Sequence, residues 1–391
     1  NQGRPGSNIS CTMNEPKRTK ATPNPPRSFL VPVKSVGQVV DGTVTPSLYH
    51  RGGMWFSAMV SGDAHFNIVS LDTLHTVFTV SVGDDLGKVT AIASKDDLTV
   101  VFVDTGYVFC YERAELVWSV QSNLNECKKI FLFEDFLIAV SFESGTLEIL
   151  NLKEGKLINK LTIDNKISAV IHPNTYLNKL LFGLANGELE LWNVKTGELI
   201  HRFQGTSASA VTAMAQSPDA DIVAVGRADH SVTVMSIKET TKVLGQFKCT
   251  AAPTAIAFRF DSPTEDVQMM TGDEAGELIV WSIKGKARPI CRVLDAHRGP
   301  IAFADLLSGQ PIIVSFGRDD NAVKEWIVES EGREVRLLRS REGPCRPITA
   351  LSFNKSNHDE CELVCLSEQD DSIVSLSLGL DTKIHRSRVH I

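Results

Sequence analysis

No stretch of about eighteen apolar residues occurs in the chain, so none of it is suited to cross a bilayer as a helix. The charged-then-apolar opening of a secretory signal is missing as well. Positive charge is in short supply: 40 Lys and Arg stand against 47 Asp and Glu, a net charge of −7. That balance excludes a protein that coats nucleic acid by bulk charge. The 42% hydrophobic share and 22% charged share exclude global disorder. The eight cysteines are scattered, and even the close pair Cys361 and Cys365 matches no zinc spacing. Reduced, buried thiols in an intracellular compartment are the expected state. Sustained helical periodicity is also lacking, which turns attention to strands.

The deficits extend to catalytic motifs. Gly83-Asp84-Asp85-Leu86-Gly87-Lys88 is one residue short of a phosphate-binding loop, and Val89 replaces the required Ser or Thr. It reads as a loop between strands. A Gly-x-Ser-x-Gly elbow, an HExxH zinc helix and an EF-hand pattern are all missing. No metal ligand set and no cofactor are expected, and the chain reads as non-enzymatic.

What is present is a repeat. At 391 residues the chain exceeds one ordinary domain of about 100–200 residues, unless it is built from units. Val69, Cys110, Leu150, Trp192, Met235, Trp281, Trp326 and Leu376 each end a short alternating run, at intervals of about 40–50 residues. Six positions upstream of each lies Asp63, Asp104, Ser144, Asn186, Asp229, Ala275, Asp320 or Asp370, often followed by glycine (Gly106, Gly145, Gly187, Gly276). That is hairpin-turn chemistry. The fourth unit reads as strands over Ile167–Ile171, Lys179–Gly183, Glu188–Asn193 and Glu198–Phe203. The fifth reads as Val211–Gln216, Asp221–Val225, Ser231–Ser236 and Lys242–Phe247.

Four strands per unit at this period resemble the WD repeat. The likeness is carried by Leu191-Trp192-Asn193, Val280-Trp281-Ser282 and Glu325-Trp326-Ile327, where that family places Trp-Asp. It implies an all-β propeller of four-stranded blades. Eight repeat units are present and seven blades per ring are favoured, so one terminal unit, 348–391 or 44–80, is expected to belong elsewhere. His297, Ser315, Asp320 and Trp326 stand where such repeats form a buried hydrogen-bonded tetrad. A Ser-His-Asp catalytic set is the rival reading of the same residues.

Residues 1–34 differ from the rest. Arg4, Lys17, Arg18, Lys20, Arg27 and Lys34 face only Glu15, making this segment about +5 and the remainder about −12. Its Pro-, Asn- and Ser-rich composition reads as a disordered basic tail ahead of a propeller over 35–391. Pro16-Lys17-Arg18-Thr19-Lys20 is open to two readings, a nuclear-import or nucleic-acid element and a merely solvated cluster. The first residue is Asn, so the chain is expected to be a fragment. A second unusual segment is the loop around His172, Asn174, Tyr176 and Lys179. Capping a blade junction and contacting a partner or RNA are equally open for it.

At that loop the resemblance narrows. Ile171-His172-Pro173-Asn174-Thr175-Tyr176-Leu177-Asn178-Lys179, continuing through Asn186-Gly187-Glu188-Leu189 and Leu191-Trp192-Asn193-Val194, looks like a nucleolar WD-repeat family. That family supplies the tandem-propeller subunit of the small-subunit processome, associated with the U-three small nucleolar ribonucleoprotein. Asp295-Ala296-His297-Arg298-Gly299 and Lys324-Glu325-Trp326-Ile327 extend the likeness. It implies a scaffold in ribosome biogenesis needed for pre-rRNA processing, located in the nucleus and nucleolus. The implied partners are other processome proteins, including other WD-repeat subunits, and pre-rRNA or small nucleolar RNA within the particle; no membrane is implied. The alternative is a generic WD-repeat adaptor, such as a ubiquitin-ligase substrate receptor or a coat component.

Overall fold

In the computed structural model the described residues are 44, 47–61, 63–70, 76–203, 207–217, 221–239, 242–259, 268–283, 288–306, 312–320, 322–329 and 334–341. To these are added the backbones of short strands at 32–34, 348–354, 360–367, 372–379 and 389–390. Among them the only helical element is a 3-10 turn, Asp84–Leu86. Everything else regular is strand.

Seven four-stranded antiparallel sheets follow one another along the chain, each a simple up-and-down meander. They are the propeller blades: blade 1 (47–81), blade 2 (89–121), blade 3 (129–162), blade 4 (167–203), blade 5 (211–248), blade 6 (253–293) and blade 7 (301–341). Burial follows strand position. The second strand of blade 3, Phe136–Val140, is buried throughout, whereas the outermost, Leu157–Thr162, alternates between exposed and half-buried. A strand covered on both faces needs apolar residues at every position, so the middle strands read as continuous runs.

The core lies between blades. Val60, Phe66 and Ile68 of blade 1 share a cluster with Val101, Val103 and Phe109 of blade 2. Blades 3 and 4 share Ile138, Ile149, Leu180 and Phe182, and blades 6 and 7 share Met270, Val280, Ile313 and Trp326. Each sheet thus covers its neighbour, the face-to-face packing that makes a single blade unable to stand alone.

The eighth unit is built differently. Its strands Ile348–Asn354, Glu360–Ser367, Ser372–Gly379 and Val389–His390 form a sheet that also takes in Pro32–Lys34, parallel to Val389–His390. The seven four-stranded blades therefore sit beside one five-stranded sheet that joins the segment before blade 1 to the end of the chain. The expected tail lies outside the described residues through residue 31, while 32–34 are in a strand.

Candidate functional site

The hairpins joining second and third strands are set by local polar chemistry. The side chain of Asn186 accepts from the Glu188 amide at 3.1 Å, and Asp229 accepts from the Ser231 amide at 3.1 Å. Such i to i+2 bonds fix the turn, and the next residue takes the left-handed region. Gly106, Gly145, Gly187 and Gly276 do so at φ 87°, 65°, 83° and 83°, while blade 5 uses His230 at 70°. Asp370 lies outside the described residues.

In blade 7 the four residues singled out by the WD-repeat resemblance come together. The Trp326 indole N–H donates to Ser315 Oγ at 2.8 Å, the Ser315 hydroxyl meets His297 Nε2 at 2.7 Å, and His297 Nδ1 meets Asp320 at 3.0 Å. Asp320 also accepts from the Arg298 amide at 3.2 Å and from Lys324 Nζ at 3.3 Å. Burial works to raise the Asp320 carboxyl, yet His297, the Arg298 N–H and Lys324 together hold it below the usual carboxylate range. Ser315 is wholly buried, and its oxygen is already engaged by two partners. The chain of bonds pins strands and a turn; no substrate carbonyl has a path to that hydroxyl.

Neighbouring blades reach the same end with other groups, and these were not read from sequence. In blade 6, Trp281 donates to Thr271 Oγ1 at 2.9 Å, and the Cys249 thiol lies 3.6 Å from the same oxygen, in the place His297 holds in blade 7. Burial pushes that thiol up to about 11. In blade 5, Arg227 is the largest fully buried side chain. Its guanidinium donates twice to the Gly187 carbonyl, each at 3.3 Å, and once to Thr233 at 3.0 Å, stitching blade 5 to the blade 4 hairpin. In blade 4, buried Glu190 accepts from Trp192 and Arg202, each at 2.8 Å. The one available signal was an acid inside an apolar strand, as in Leu189-Glu190-Leu191.

The loop after the first strand of blade 4 is tied to blade 5. The Tyr176 hydroxyl donates to Asp221 at 2.6 Å, and the Asn174 amide donates to Gln216 Oε1 at 2.6 Å. Burial first, and Asp221 second, raise the Tyr176 phenol. The Lys179 ammonium lies 5.1 Å from the Tyr176 ring centre, and His172 Nε2 is 3.2 Å from the Tyr176 carbonyl. The four loop residues thus form one cluster at a blade junction. His172 and Asn174 also border a cavity of about 620 Å3, whose walls are drawn from the first strands of blades 3–7. Among the described residues, no three His, Cys, Asp or Glu are grouped to hold a metal.

Residues 59–329 match the family model described as WDR36/Utp21 first beta-propeller. The chain is 33% identical over 300 residues to WD repeat-containing protein 36 of Homo sapiens, covering 75% of this chain and 32% of that protein. It is 27% identical over 364 residues to the U3 small nucleolar RNA-associated protein 21 homolog of Schizosaccharomyces pombe, covering 90% of this chain and 38% of that one. It therefore spans about a third of the length of the curated relatives it matches. Among solved structures, Saccharomyces cerevisiae Sqt1 superposes with a TM-score of 0.70 at 10% identity, covering 89% of this chain and 100% of that one. The computationally designed Ika8 protein gives 0.65 at 19% identity, covering 88% and 99%. At those identities the structures show the fold alone.

Proposed function

The chain belongs to the WDR36/Utp21 first beta-propeller family, and from that membership we propose that it is a non-catalytic scaffold of the small-subunit processome, acting in pre-rRNA processing. The observation that carries this reading is the family match, which runs through every blade from the second strand of blade 1 to the third strand of blade 7. Two of the relatives bear names that associate them with the U3 small nucleolar RNA. The chemistry of the blades supports a binding role. Ser315, His297 and Asp320 are consumed in holding blade 7, and the buried thiol of Cys249 is held far from a reactive state.

In this reading the protein resides in the nucleolus and docks on other processome proteins, including WD-repeat subunits. A body of net charge about −12 suits protein contacts, and contact with U3 or precursor RNA is local, at the basic tail. At the junction loop, the exposed side chains of His172 and Asn174 are the groups we assign to partner contact, while the Tyr176 hydroxyl is turned to Asp221. Immunoprecipitation of the tagged full chain, with U3 RNA measured in the eluate and the tag located by microscopy, tests it. Enrichment of U3 RNA and nucleolar signal are expected. A purely cytoplasmic protein without U3 RNA overturns the reading in favour of a generic adaptor.

A further inference from the structure

One register position in the first strand of the blades carries a small residue: Ala91 opposite Phe102, Ala169 opposite Gly183, Ala213 opposite Gly226 and Ala255 opposite Gly272. Two blades break the row. Blade 3 places Lys129 there, opposite Val140, and blade 7 places Phe303, opposite Phe316. Both border the same cavity of about 620 Å3, with Met214, Ile256 and Phe258 between them along the wall. That volume lies in the range of a ligand pocket of about 300–1,000 Å3.

Lys129 is poorly provided for. Among the described residues its ammonium has the Phe131 ring, 5.9 Å from the centroid, and neither a hydrogen bond nor an ion pair. The side chain keeps access to the cavity, yet the surrounding protein is close enough to push its ammonium below the usual lysine value. A cation in a protein-lined channel gains most from a single desolvated anion. The other charged group on this wall, Asp305, is buried and accepts from the Leu306 amide at 2.8 Å.

We propose that this cavity, an open channel walled by the first strands of blades 3–7, receives an extended segment of a partner protein in which one Asp or Glu lies between apolar residues. The carboxylate sits on Lys129, and the flanking side chains pack on Met214, Ile256 and Phe303. Two observations favour a peptide over RNA. First, the described lining of the cavity carries one cation and one acid, whereas each phosphate of a nucleic acid needs its own neutralising cation. Second, the first strands that wall the channel are edges of their sheets, so they carry outer backbone groups that can pair with an extended main chain.

The test uses the whole chain on an array of octapeptides, each with one central Asp or Glu flanked by Leu, Ile, Val or Phe in all combinations. A matched array carries Asn or Gln in the centre, and octauridylate serves as competitor. The chain is expected to bind members of the acidic array at least tenfold tighter than their amide counterparts. Lys129→Met, or Lys129→Ala with the residue other blades carry, should erase that preference while the urea unfolding midpoint stays put. Phe303→Ala should weaken both arrays. Equal binding of the two arrays, no binding to either, unchanged preference in both lysine variants, or displacement of bound peptide by octauridylate would each overturn the proposal. None of those results bears on U3 RNA recovery, so the processome reading stands or falls separately.

Discussion

A buried hydroxyl, imidazole or guanidinium lowers stability unless its partners come with it, and each blade supplies them differently. His297 holds Ser315 and Asp320 at once, so His297→Ala strands both and should cost about 1–3 kcal/mol in urea unfolding. Asp320 adds a pH signature. Its native carboxyl titrates below its unfolded value, so its contribution is complete above about pH 3.9 and is lost as pH falls through the lower native value. Asp320→Asn should therefore flatten the acid limb of stability measured by urea midpoints, as well as lowering the neutral plateau. Arg227 makes a different demand. Two of its nitrogens grip the Gly187 carbonyl while a third serves Thr233, a fork that an ammonium cannot reproduce. Arg227→Lys should destabilise nearly as much as Arg227→Met; full rescue by lysine would contradict this role. The His297 set was legible because its four members stand where the WD-repeat resemblance puts a tetrad. Arg227 and Cys249 were not: the partner of Arg227, Gly187, lies on the hairpin of the neighbouring blade, and Cys249 stands where the repeat pattern has His.

Strands and hairpins were the most legible level. Ile167–Ile171 and Glu198–Phe203 form where their branched residues and flanking turns place them, and the expected Asp221–Val225 is the strand Ile222–Arg227. The shift at that strand has a physical cause: Arg227 continues the ladder opposite Val211, whereas its charge reads as the end of an apolar run. Hairpin glycines are required by geometry. At Gly187 the backbone has φ 83°, and a Cβ there would press on the carbonyl oxygens of Ser207 and Ser209. Gly187→Ala should cost more than about 1 kcal/mol by thermal unfolding, beyond the helix- or strand-neutral effect of adding a methyl. The loop at His172–Lys179 was readable as unusual but not as a clamp, because the Tyr176 partner, Asp221, belongs to the next blade.

For the whole molecule, two features depend on residues far apart in the chain, and no local pattern announces them. One is the sheet that joins Pro32–Lys34 to Val389–His390. The other is the channel, whose walls are drawn from successive blades and which, among the described residues, sets a lysine and a phenylalanine into a row of alanines. Charge, by contrast, was readable at once: a negative body with basic residues gathered ahead of it favours protein contacts over salt-sensitive coating of RNA. In the proposed role a scaffold of that kind holds other components in place, and its loss should appear in their product. The most direct measurement is the ratio of mature small-subunit to large-subunit ribosomal RNA after depletion of the full-length protein from cells that depend on it. A fall in that ratio, with unprocessed precursor accumulating and large-subunit RNA nearly unchanged, is the expected result. An unchanged ratio after complete depletion would contradict the processome role.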